Sequence, residues 1–105
     1  MAFTSKLLGE GQLAIATGTL YTVPASTTTI VKTIILTNSD ASSRTVNIYL
    51  NSGTHRRITP KELTLGAGET YIIDEVLTLE ATDTIRGDAS AGTVVDYIIA
   101  GVEEA

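Results

Sequence analysis

The sequence predicts an all-β protein, a single antiparallel β-sandwich of jelly-roll character, and three observations predict it. Runs rich in Thr, Val and Ile alternate between two faces, as Val46, Ile48 and Leu50 do against Asn47, Tyr49 and Asn51. Breaks rich in Gly, Asn, Asp and Ser return at the short, even spacing of sandwiches and jelly rolls. No segment sustains a helical period; KLLGEGQLAIA comes nearest, and its glycines argue against it.

The elements follow in order. Residues 1–16 read as a flexible N-terminal arm, with at most a short strand at 12–16, and residues 17–105 as the sandwich domain. TLYTVP is a strand that Pro24 ends or confines to an edge. TTIVKTIILTN carries aliphatics on both faces, Ile30, Ile34 and Leu36 on one and Val31 and Ile35 on the other. Such a strand expects cover on both sides. NSDASS is turn chemistry, because Asn, Ser and Asp side chains bond their own backbone. It predicts a hairpin between that strand and RTVNIYLN. NSGTHRR reads as a loop and ITPKELTL as a weaker strand, with Pro60 marking an edge. GAG at 66–68 is a turn, and ETYIIDE, VLTLE, DTIRGD and TVVDYIIAGVE complete about eight strands.

Composition bounds the function. A chain of 105 residues with 43% hydrophobic residues supports one core and one domain. A formal charge of −5 lacks the cationic footprint that a nucleic-acid backbone requires. The chain has no Cys, which excludes disulfides and thiolate metal sites. Apolar runs are broken by Lys32 and Asp96, far short of a membrane span, and no signal segment is visible. The expectation is a soluble protein made in a cytoplasm, without nucleic-acid or membrane partners.

No motif of catalysis or cofactor binding stands out, so no cofactor, metal or catalytic residue is assigned. His55, the single histidine, has no partner acid or nucleophile that the sequence can place beside it. His55, Arg56 and Arg57, with Lys61, are the concentrated positive patch of an acidic chain. They serve either to dock on a partner's carboxylates or to keep an exposed edge from pairing. The acids Asp74, Glu75, Glu80, Asp83 and Asp88 do not match the spacing of a calcium loop. Tyr49 is either an exposed contact or packs across its sheet. The last strand is apolar on both faces, Val95, Tyr97 and Ile99 against Val94, Ile98 and Val102. Together with residues 30–36 it predicts an outer sheet face covered by another subunit, with Val94 and Ile98 near the contact.

The cadence TLYTVP, TTTIVKTIILTN, RTVNIYLN, LTLGAGETYIIDEVLTLEATDTIRGDAS and a closing VVDYIIAGVE resembles small β-sandwich structural proteins of tailed bacteriophages. The match covers about residues 19–103, and Thr82 stands where those proteins commonly carry Gly. The resemblance implies a virion component without enzymatic activity, and a capsid decoration (cement) protein in particular. Such proteins often stand as trimers on the capsid surface and bridge neighbouring copies of the major capsid protein. Neck, tail or fibre placement, or a receptor- or carbohydrate-binding module at a tail tip, are the alternatives. On this reading Phe3, Leu7 and Leu8 of the arm, and the His55–Arg57 loop, are free to reach the capsid.

Overall fold

A computed structural model describes residues 3–105, and none of them is helical. Ten strands form in chain order: β1 (Phe3–Gln12), β2 (Gly18–Thr22), β3 (Thr28–Asn38), β4 (Arg44–Asn51), β5 (His55–Arg57), β6 (Leu63–Leu65), β7 (Thr70–Ile73), β8 (Leu77–Leu79), β9 (Thr84–Ala89) and β10 (Val95–Glu104). They make two antiparallel sheets packed face to face, a β-sandwich. One sheet runs β1-β10-β3 with β7 and β8 both beyond β3; the other runs β2-β9-β4 with β5 and β6 both beyond β4.

Those doubled edges explain the strand count. β7 pairs with residues 34–37 of β3 and β8 with residues 29–31, so the two are one edge strand interrupted by a loop. β5 and β6 divide the edge of β4 in the same way. Counting each broken edge once turns ten strands into eight, ordered 1-8-3-6 and 2-7-4-5. That is the connectivity of a jelly roll, in which consecutive strands alternate between sheets except for the fourth and fifth, which pair in one sheet.

Two expectations are corrected by this topology. Residues 3–12 are not a free arm: β1 pairs with β10 along its length, from Phe3 opposite Glu104 to Gln12 opposite Asp96. Residues 1 and 2 lie outside the described residues, and the short strand expected at 12–16 is the end of β1 followed by a bend. Nor do β3 and β4 form a hairpin; they belong to opposite sheets, and residues 39–43 cross between them. Asn38 organises that crossing. It is fully buried, its Nδ2 donates to Ser42 O, Leu65 O and Gly66 O, and its Oδ1 accepts from Asp40 N. Asp40 then binds Arg44 at 2.5 Å, and that bond, with the Ala41 N–H, holds its carboxyl below the usual range.

The core lies between the sheets: Leu13, Val23, Val31, Ile34, Leu36, Val46, Ile48, Leu65, Leu79, Ile85, Val95 and Ile99 are buried in it. On β4 and β9 strict alternation places these side chains. On β3 it does not. Lys32 is an extra residue opposite the Ala100–Gly101 step, a β-bulge that reverses the alternation. Val31 therefore joins Ile34 and Leu36 inside, and Ile30 turns outward with Ile35. Gly101 is required there, since a Cβ would lie 2.2 Å from the Ile30 carbonyl oxygen.

One end of the sandwich is closed by a polar relay. Tyr21 on β2 donates its hydroxyl to Glu103 on β10 at 2.5 Å and exchanges a hydrogen bond with buried Thr29 on β3 at 2.7 Å. Lys6 on β1 completes it with an ion pair to Glu103 at 3.1 Å. Burial, then the Glu103 bond, pushes the Tyr21 hydroxyl up to about 12. The same bond holds the Glu103 carboxyl below its ordinary value.

Candidate interaction surfaces

The two outward faces of the sandwich have opposite chemistry. On the β1-β10-β3-β7 sheet, register places Glu10, Ile98, Ile35 and Ile72 in one row across four strands. Ile98 is 42% exposed and Ile72 59%. Leu7, 55% exposed, lies beside this row opposite Ala100, and Val102 and Ile30 face each other further along. Asp96 and Gln12, bonded side chain to side chain at 3.0 Å, stand at the margin. An apolar centre with a polar rim is the anatomy of a protein interface. A depression of about 440 Å³ opens at this margin, between Leu7, Glu10, Gln12, Tyr97 and Ile98.

The other sheet turns three polar rows outward. Thr19, Arg86, Tyr49 and Arg57 are opposite one another across β2, β9, β4 and β5. Thr22, Thr84, Asn51 and His55 form a second row. In the third, Asp88 accepts from Thr17 Oγ1 at 2.5 Å and from Asn47 Nδ2 at 2.9 Å. Arg57 donates to Asn47 Oδ1 at 2.6 Å, and its guanidinium lies 5.1 Å from the centre of the Tyr49 ring. Arg86 Nη1 is 3.4 Å from His55 Nε2, and the His55 ring is 5.4 Å from that of Tyr49.

The residues singled out by the sequence divide between these surfaces. His55, Arg56 and Arg57 are not a loop but strand β5, at the edge of the second sheet. Because a strand alternates, they do not act as one patch: His55 and Arg57 share the face of Tyr49, whereas Arg56 is opposite inward-facing Leu50. Ile98 stands on the apolar face. Val94 does not; it packs against the chain's own core, and its carbonyl accepts from Ser39 N and Oγ. Leu7 is outward and Leu8 packs against the core, since Leu8 is the extra residue of a bulge between Leu7 and Gly9. Phe3 begins β1; its side chain lies outside the described residues. Among the described residues no cluster of acids and histidine is placed to hold a metal ion.

Arg86 was not singled out by the sequence. The alternation of Ile85, Gly87 and Ala89 inward does place it outward, but no local signal ties it to a residue thirty-one positions away.

No family model and no curated protein matches the sequence. Solved structures do. A chain in the structure of infectious bursal disease virus, Gx strain, matches over 97% of this chain with a TM-score of 0.50 and 13% identity. A chain of the Gt strain matches over 96% with a TM-score of 0.46 and 11% identity. This chain spans about a third of each, 32% and 30%. At that identity the likeness is one of fold: this chain has the β-sandwich found within a chain of a virus structure.

Proposed function

We propose that the chain is a non-enzymatic structural protein of a virion, and specifically a decoration protein on the capsid of a tailed bacteriophage. The observation that carries the reading is the apolar outer face of the β1-β10-β3-β7 sheet. Leu7, Ile72 and Ile98 are exposed side by side on a face that a solitary sandwich keeps polar. A second subunit covering that face makes the chain a homo-oligomer, and a trimer accords with the cadence it shares with phage structural proteins. The sandwich fold it shares with part of a virus structure supports the same reading.

Mechanically, such a protein stabilises by number. Each copy buries a modest interface against the major capsid protein, and many copies on one lattice add up to a strong restraint. β1, an edge strand rather than a loose arm, supplies the contact through its unpaired side.

The test is to add purified protein to undecorated, expanded phage capsids, sediment them, and challenge them with heat. Co-sedimentation with raised capsid melting is expected. Protein left in the supernatant, or bound to tails instead, overturns the decoration reading.

A further inference from the structure

The polar face of the β2-β9-β4-β5 sheet assembles cations that the chain itself leaves unpaired. Among the described residues, the ion pairs are Lys6 with Glu103 and Arg44 with Asp40; neither Arg57 nor Arg86 has a carboxylate within reach. The acid closest to them along the sheet, Asp88, is occupied by the neutral donors Thr17 and Asn47. Arg86 Nε is closed off from solvent with no partner, as is Thr84 Oγ1 in the neighbouring row. A guanidinium only donates, so His55 Nε2 serves as the acceptor for Arg86. Two arginines are thus fixed in place, one over Tyr49 and one beside His55, in a chain whose net charge is −5.

We propose that this face, together with the open edge of β5, docks an extended acidic segment of a partner protein whose carboxylates sit on Arg57 and Arg86. The proposal rests on the reading of the chain as a docking protein and names the chemistry of what it meets. β5 ends the sheet, so its outer backbone groups are free to pair with an added strand. Alternate side chains of that strand fall on the face of His55 and Arg57.

Other occupants fit less well. A sugar acid needs an aromatic face on which to stack, and Tyr49 already carries Arg57 at 5.1 Å and His55 at 5.4 Å. A small molecule needs concavity, and the depression of about 440 Å³ is on the other sheet. A nucleic-acid backbone would meet Asp88 in the row beside the arginines and an acidic chain around them.

The probe is a peptide of about ten residues alternating Glu with Thr, titrated into the isotope-labelled protein and followed by amide NMR shifts. Shifts are expected at His55, Arg57, Tyr49 and Arg86, and affinity should fall at least about tenfold between low and physiological salt. Arg57→Gln should weaken binding by about tenfold or more, while Arg56→Gln, on the opposite side of β5, should change it less than about twofold. Arg86→Gln should match Arg57→Gln, with a thermal melt to establish that it folds. The proposal is overturned by an Arg56→Gln effect equal to that of Arg57→Gln, by shifts elsewhere, by no binding, or by binding of polygalacturonate in place of the peptide. Peptide binding that fails while capsid sedimentation succeeds removes this surface alone. The reverse removes the capsid reading alone.

Discussion

The outer faces of the two sheets are built from the same strand grammar and end in opposite chemistry. Across one, Ile98, Ile35 and Ile72 meet on adjacent strands; across the other, Arg86, Tyr49 and Arg57 do. Both rows sit on equivalent positions of a jelly roll, so the fold does not decide between them. What differs is the residue type at alternate positions, which leaves the core untouched. The sandwich is therefore a neutral frame, and its two outer faces are free to differ, one apolar and one polar and charged.

The contrast breaks most visibly if the apolar row is made to resemble the polar one. Ile72→Lys with Ile98→Lys should lower self-association by about a hundredfold or more, because each isoleucine contributes roughly 1.5–3 kcal/mol when covered. Light scattering checks the mass. A protein that shows only an 11.0 kDa species before mutation removes the association claim at once. The same charge placed at Thr19 on the other face should leave the mass unchanged.

The contrast also depends on the bulge that sends Val31 inward and Ile30 outward. Gly101→Ala drives a methyl group against the Ile30 carbonyl, and chemical denaturation should register a loss of about 2 kcal/mol. An unchanged midpoint would mean that the bulge relaxes freely.

A smaller effect sharpens the link between the sheets. Tyr21→Phe removes the hydroxyl shared by Thr29 and Glu103 and should cost about 1–2 kcal/mol. Its pH dependence has two limbs. Glu103 is held below its ordinary 4.5, so its contribution is present above that value and is lost as pH falls below it, through the lowered one. Tyr21 is raised from 10.0 to about 12, so its contribution is present below 10 and lost as pH rises toward 12. The variant should flatten both limbs of a stability–pH curve; a parallel curve counts against the relay.

The smallest effect is a gain. Thr82 has φ of 71° in a turn closed by Asp83 N donating to Glu80 O, a backbone region that disfavours a β-branched residue. Thr82→Gly should raise stability by roughly 1 kcal/mol, read as a higher melting temperature.

Much of the frame was legible in the chain. The alternation of β4 and β9 is clean, and Asp83 acts in its turn as its residue type implies, its Oδ2 accepting from Glu80 N. β1 was not legible, because LLGEGQ has no strand pattern of its own and is ordered by β10. The β3–β4 connection was misread for a related reason. The turn chemistry of 39–43 serves a hairpin and a crossing equally, and Asn38, bonded to Leu65 and Gly66 from afar, decides. The site was half legible. His55 and Arg57 stood out by charge, but their separation from Arg56 and their meeting with Arg86 belong to register across strands, which no local window contains.

The position of β10 governs how the molecule comes into being. It is the last of the ten strands to be synthesised, yet it lies between β1 and β3 in its sheet. Until it emerges, β1 has no partner, and β3 presents a bare edge rich in isoleucine. Folding must then join the first strand to the tenth, Phe3 opposite Glu104, a closure that places it among the slower topologies, on the order of milliseconds to seconds. A nascent chain halted before residue 95 would expose that edge to its neighbours, so pairing of β10 is the event that removes an aggregation-prone edge.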